Sequence, residues 1–233
     1  MTLGTRRSLP IFCRDEPAAH AMVFRYLAPR CAMTKKILVL FAHPLLEKSR
    51  ANKALLGAYT RFGECTFHDL YEEYPNFDVN IEREQALLLE HDLIIWHHPM
   101  YWYSCPPLLK QWIDMVLTVG WAYGPGGTAL KDKILLQVIT AGGPEAVYQH
   151  EGNNRYTIPE FLRPFEQTAR LCKMSYLPPF VVHGTHRLDE GALGYFQDLL
   201  LELLKTLKTA DLSSIDWAQH QTMNHFLIKM PIR

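Results

Sequence analysis

Several things are scarce in this sequence, and each scarcity excludes something. No apolar run reaches the roughly 18–20 residues needed to cross a bilayer, so any contact with a membrane is expected to be peripheral. Neither sign of charge is in excess: Lys+Arg and Asp+Glu number 24 each, which gives no support to general nucleic-acid binding. Cysteine is sparse. Cys13, Cys31, Cys65, Cys105 and Cys172 are odd in number and contain no C-x-x-C pair, which argues against a disulfide framework or a cysteine-rich zinc site. A reducing, cytoplasmic compartment is the expectation. Glycine is absent from residues 38–52, LVLFAHPLLEKSRAN. That stretch has the strand–loop–helix layout of a phosphate-binding turn, yet it fits neither the P-loop nor the dinucleotide fingerprint. A later GPGG at 124–127 is no Walker motif, because no GK[ST] follows it.

What is present is an ordinary core. Apolar residues make up 48% and charged residues 21% of 233, which suits one domain with appendages. Residues 1–34 carry Arg6, Arg7, Arg14, Arg25 and Arg30 against Asp15 and Glu16 and show no period. The Arg6-Arg7 pair is followed by a stretch too short and too charged for a twin-arginine signal. Residues 1–34 read as a disordered or non-native extension, residues 35–208 as the domain, and residues 209–233 as a loosely attached tail.

From Lys36 onward, apolar runs alternate with helical patterns. Ile37–Ala42, Leu93–His97 and Ile134–Thr140 are continuous apolar runs, expected for strands buried on both faces. Cys65–Leu70 and Phe180–His183 are shorter strand candidates. Helices are expected at 50–61, at Ile81–Glu90, after Pro106-Pro107 with Ser104 as cap, at Ile158–Lys173 with a break near Pro164, and at Asp189–Lys208. Strands alternating with helices argue for a doubly wound α/β fold with a five-stranded parallel sheet, order 2-1-3-4-5, and helices on both faces. Ligands in such sheets lie beyond the carboxyl ends of the strands, at the switch point. That rule selects loops 43–50, 98–105 and 140–150.

Each loop has a bland and a functional reading. His43, Ser49 and Asn52 open a helix, so they form either a plain cap or a phosphate site built on free N–H groups and side-chain donors. Met100, Tyr101, Trp102 and Tyr103 form an aromatic platform that suits a flat conjugated ligand or a partner surface. Thr140, Ala141, Gly142 and Gly143 bring backbone close to something, or simply turn. The phenol of Tyr148 lies just beyond, where it could stabilise negative charge developing on a ring. One ligand with a terminal phosphate and a planar redox ring, flavin mononucleotide, fits all three loops. Five histidines, His43, His97, His98, His183 and His186, match no metal-ligand spacing. Cys105, near a helix start, is either an activated thiol or a small apolar residue.

These residues resemble the flavodoxin-like NAD(P)H:quinone oxidoreductases, and within them the ancillary flavoproteins of glutathione-regulated potassium-efflux systems. The resemblance runs from about Lys36 to about Asp189 and rests on FAHP…SRAN, HDLYEEYPNFDVNIEREQALL, HPMYWYSCPPLLKQWID, GWAYGPGGTALKDK and ITAGGPEAVY. It implies FMN rather than FAD, with NAD(P)H as co-substrate and a quinone as acceptor in a two-electron, ping-pong reaction. His43, Ser49, Arg50, Ala51 and Asn52 would hold the phosphate and ribityl chain. Met100 to Tyr103 would line the ring, and Thr140 to Gly143 would meet its polar edge through N–H groups. Ala141 stands where the family has a second threonine.

By the same resemblance, Tyr148 would assist hydride transfer. The family's histidine six residues later is Asn154 here, and His150 is out of register. The resemblance further implies a homodimer, with the stripe Leu108–Leu117 and loop Trp121–Leu130 facing the partner. It also implies a glutathione-gated potassium/proton antiporter as partner, and a cytoplasmic location peripheral to the inner face of the bacterial inner membrane. The alternative is a purely regulatory flavin-binding subunit.

Overall fold

The computed structural model describes residues 34–229, and the expectation for the N-terminal extension otherwise falls outside the described residues. In chain order the elements are β1 (Ile37–Phe41), α1 (Arg50–Phe62), β2 (Cys65–Asp69), α2 (Leu70–Glu73), α3 (Ile81–Leu89), β3 (Leu93–Pro99) and α4 (Pro107–Val116). Then come β4 (Ile134–Thr140), α5 (Ile158–Phe161), α6 (Arg163–Leu171), β5 (Ser175–Tyr176), β6 (Phe180–Val182), α7 (Glu190–Thr209) and α8 (Met223–Lys229). All sheet pairs are parallel, in the order β2-β1-β3-β4, with β5 and β6 both on the outer edge of β4. The expected fifth strand therefore exists in two pieces. β5 pairs Ile134 and Leu135, β6 pairs Val138 to Thr140, and Pro178-Pro179 between them supply no N–H for a continuous ladder.

Alternation along the strands fills two cores. Leu38, Leu40, Ile94, Trp96, Leu135 and Ile139 face α3, α4 and α6. Ile37, Val39, Leu93, Ile95, Leu136 and Val138 face α1 and α7. Each such fully buried aliphatic side chain contributes about 1.5–3 kcal/mol of transfer free energy. Gly57 lets α1 approach α7, since a Cβ there would run into the Gln197 amide.

Three expectations about helices change. The α4 stripe of Leu108, Leu109, Trp112, Ile113, Val116 and Leu117 is buried within the chain itself, so it is not a surface for a partner. Its width comes from packing on the sheet at Trp96 and, through Trp112, on Glu84 of α3. Ser104 does not cap α4, which starts on Pro106 and Pro107 with no side-chain cap. Over its described residues the C-terminal segment is not loose: Leu212, Met223 and Phe226 join the α1/α7 core.

Asn224 of α8 also closes the sheet edge. Its Oδ1 accepts from the Val181 N–H at 2.8 Å and its Nδ2 donates to the Val181 carbonyl at 3.0 Å. Asn224→Ala is expected to cost about 1–2 kcal/mol, two hydrogen bonds' worth. It also uncovers a strand edge, a pairing hazard. Urea unfolding, with light scattering to detect association, measures both effects.

Candidate functional site

The carboxyl ends of β1, β3 and β4 open into one groove of ≈ 570 Å³. His43, Ser49, Arg50, Ala51, Asn52, Met100, Tyr101, Thr140, Gly142, Gly143 and Tyr148 all line it. A second groove of ≈ 400 Å³ shares Met100, Gly143 and Tyr148 and adds Trp102, Tyr103, Asn153 and Asn154. Ala141 lines neither. Its N–H donates to the Val182 carbonyl at 2.8 Å, so that amide belongs to the sheet rather than to a ligand.

The β1 end is built as a set of donors. Ser49 caps α1, its Oγ accepting from the Asn52 backbone N–H at 3.2 Å. The Asn52 Nδ2 donates to Ser49 Oγ at 2.9 Å and to Thr140 Oγ1 at 3.0 Å. Both hydroxyls thus receive protons from within the protein; Ser49 keeps its own for a ligand, and the Thr140 hydroxyl, which also donates to Asn52 Oδ1 at 3.4 Å, gives up that long inward contact to meet one. His43 Nδ1 accepts from the Leu45 N–H at 3.1 Å, which leaves Nε2 as the proton-bearing nitrogen. Burial lowers the pKa of His43, so it offers a neutral N–H rather than a charge. Arg50 ion-pairs with Glu190 at 2.6 Å on the surface, a contact worth at most about 1 kcal/mol and easily exchanged.

The β3 loop is a tight hairpin. Tyr101 and Ser104 exchange backbone hydrogen bonds at 3.1 and 2.9 Å, and Trp102 and Tyr103 both take left-handed backbone at φ +49 and +62. Such turns ordinarily use Asn-Gly. Bulky side chains there cost of order 1–3 kcal/mol each, strain of the kind found at binding surfaces. Tyr103 recovers part by stacking on Phe161 with centroids 4.8 Å apart. Trp102 is 93% exposed and has no such stacking partner among the described residues. Trp102→Asn is therefore expected to raise thermal stability of the flavin-free protein by about 1 kcal/mol. Met100 and Tyr101 have their amides engaged with Thr140 and Ser104, so only Trp102 and Tyr103 can present N–H groups from this loop.

In the third loop a Cβ on Gly142 would lie 2.7 Å from His186 Nε2, and one on Gly143 would lie 2.8 Å from Val147 and 3.2 Å from the Tyr148 ring. Both glycines are needed for close packing. Burial raises the pKa of Tyr148, opposed in part by the Gly143 amide beside its oxygen, so its phenol is a donor at neutral pH. Its ring packs on His183 at 5.6 Å. Neither His150 nor Asn154 reaches it: Asn154 instead accepts from the Tyr103 hydroxyl at 3.4 Å, and His150 is exposed beside Arg155. A Tyr148–His150 relay is not formed.

This parallel, switch-point architecture has a match among known proteins: the profile of Flavodoxin_2, the flavodoxin-like fold, over residues 35–203. The chain belongs to this family. It is 46% identical over 162 residues to the "Glutathione-regulated potassium-efflux system ancillary protein KefG" of Enterobacter sp. (strain 638), covering 70% of this chain and 88% of that one. It is similar to the general stress protein 14 of Treponema denticola, solved in complex with FMN (39% identity, TM-score 0.69, 74% of this chain and 99% of that one). It is also similar to an NADPH-quinone reductase from P. pentosaceus (38% identity, TM-score 0.65, 75% and 98%).

The groove adds residues not singled out from the sequence. Leu45 and Lys48 line it from within loop 43–50, and Thr185 and His186 line it from the loop after β6, which the three-loop rule passed over. Their signal was available, since β6 ends at the same edge of the sheet as β4. Cys105 is no activated thiol, because burial pushes it up to about 11. His97 and His98 are fully buried, with both ring nitrogens engaged by protein groups. Among the described residues no group of His, Cys, Asp and Glu is arranged to hold a metal ion. Among them, too, no helix is long and apolar enough to cross a membrane.

Proposed function

We propose that this protein is an FMN-dependent NAD(P)H:quinone oxidoreductase that also serves as the regulatory ancillary subunit of a glutathione-gated potassium/proton antiporter. The observation that carries the first half is the main groove and the second groove that adjoins it through Met100, Gly143 and Tyr148. Helix-start donors lie at one end of the pair, with an aromatic hairpin and two glycines that exclude a Cβ at the other. Those features fit FMN. His43, Ser49 and the N–H groups of Arg50 and Ala51 would hold the phosphate, with Thr140 and Asn52 behind them. Met100 to Tyr103, Gly142 and Gly143 would border the ring. When bound, FMN supplies two-electron transfer between a nicotinamide and a quinone.

The protein's own part is to orient and to donate. The Tyr148 phenol keeps its proton where charge grows during the reaction, and the walls keep water from the reacting face. NAD(P)H and quinone use that face in turn, a ping-pong order. Trp102, exposed beside the groove, and the loop 121–130 are the places for a second copy to meet the first, as a homodimer. The relatives named for potassium efflux support the second half, and with it a cytoplasmic protein held peripherally at the inner membrane. The alternative is a purely regulatory flavin-binding subunit.

The deciding experiment is an absorbance spectrum of the purified protein, followed by NAD(P)H oxidation with added FMN and a quinone. A colourless protein inert in that assay rules out the enzyme. A yellow protein that is inert, yet raises antiporter efflux in cells, establishes the regulatory alternative. Sedimentation of the protein against Trp102→Asn tests the dimer.

A further inference from the structure

Behind the phosphate end of the groove lies a buried polar chain that no role so far requires. His97, on β3, is fully buried and its pKa is driven well below the ordinary value by burial. Its Nδ1 lies 2.9 Å from the Tyr59 hydroxyl and its Nε2 lies 3.1 Å from Asn52 Oδ1. A neutral imidazole has one donor and one acceptor. Among the described residues the Tyr59 hydroxyl meets no acceptor besides this Nδ1, so the arrangement that satisfies every group is unique. Tyr59 O–H donates to Nδ1, and Nε2–H donates to Asn52 Oδ1.

That direction decides what the site offers. With Oδ1 held by His97, the Asn52 amide must turn both Nδ2 hydrogens toward Ser49 Oγ and Thr140 Oγ1. Ser49 then accepts inward and donates outward, and Thr140 does the same on giving up its long 3.4 Å contact to Asn52 Oδ1. The reverse tautomer would flip the amide and make both hydroxyls donate inward, presenting lone pairs to an anion. We propose that Tyr59 and His97 are positioning residues that set the hydrogen-bond polarity of this pocket, making it selective for a phosphate monoester. The inference rests on the flavin reading only for the identity of its ligand.

The test compares FMN with riboflavin, which has the ring and lacks the phosphate, by fluorescence titration of the flavin-free protein. Tyr59→Phe removes the donor that fixes the tautomer from beyond the groove. It is expected to weaken FMN about tenfold, one hydrogen bond's worth, and to leave riboflavin within about twofold. His97→Leu is expected to do the same, and His97→Gln, whose amide N–H can still reach Asn52, to restore FMN binding. NMR of the protein labelled with 15N-histidine is expected to find the His97 proton on Nε2 in the wild type.

Equal effects on FMN and riboflavin, no effect on either, or a proton on Nδ1 would overturn the proposal. If His97→Leu does not fold, Tyr59→Phe decides. If the wild type binds no FMN, the flavin reading falls and inorganic phosphate becomes the probe. Phosphate held by the wild type and lost in Tyr59→Phe still supports the polarity, and no phosphate binding refutes it.

Discussion

Replacing Glu84 by alanine is expected to lower the unfolding free energy by about 3–5 kcal/mol, the usual cost of removing one member of a buried charged network. Glu84 is completely buried on α3. Its Oε1 accepts from His68 Nε2 at 2.8 Å and from the Tyr74 hydroxyl at 2.6 Å, and its Oε2 accepts from Trp112 Nε1 at 2.7 Å. One carboxylate therefore ties β2, the turn after α2, and α4 together. Alanine leaves three donors in an apolar core, each costing about 1–3 kcal/mol if it finds no water. Glutamine is expected to cost less, because it keeps the shape but turns an N–H₂ toward one of those donors. Urea melts of the flavin-free protein measure both; a loss under 1 kcal/mol for alanine would show that water replaces the carboxylate.

The same residue gives a pH dependence. Burial alone raises the pKa of Glu84, but the hydrogen bonds from His68, Tyr74 and Trp112 together outweigh it and hold the carboxyl below its ordinary value. Because the folded pKa is depressed, the stabilisation is complete above the unfolded value of about 4.3. It is lost as pH falls through the folded one. The gap between wild type and Glu84→Gln is therefore expected to hold from pH 7 down to about 5 and to narrow below about 4.3.

How much of this was legible depended on how local the cause was. The alternating sets Ile37/Val39 and Leu38/Leu40 read as a two-faced buried strand, and the sheet order followed from chirality and crossover rules. The groove followed from strand ends. What failed were inferences that needed a neighbour. The stripe on α4 looked too wide for one interface because it meets both the sheet and α3 within the chain. Ala141 looked like a ligand contact until Val182, 41 positions on, proved to hold its amide. The tail looked loose because Asn224's bond to Val181 leaves no trace in periodicity.

Asn52 shows the same limit and carries the second large expectation. The sequence marks it as a ligand-binding amide at a helix start, yet both Nδ2 hydrogens and Oδ1 are engaged inside the protein. Its contribution to binding is thus to orient Ser49 and Thr140, from α1 and β4, toward the groove. Asn52→Ala frees both hydroxyls to turn inward and is expected to weaken FMN about 100-fold, roughly two outward hydrogen bonds. It also strands His97 Nε2–H in the core, for about 1–3 kcal/mol of stability. These losses share a cause with those of His97→Leu, so the two substitutions are not additive. In the Asn52→Ala background, His97→Leu removes a donor that already lacks its partner, and is expected to change FMN affinity by less than about twofold. Titrations of the two single variants and the double variant close the cycle. Additive losses would mean that His97 and Asn52 act on the phosphate separately, and that Asn52 touches it directly.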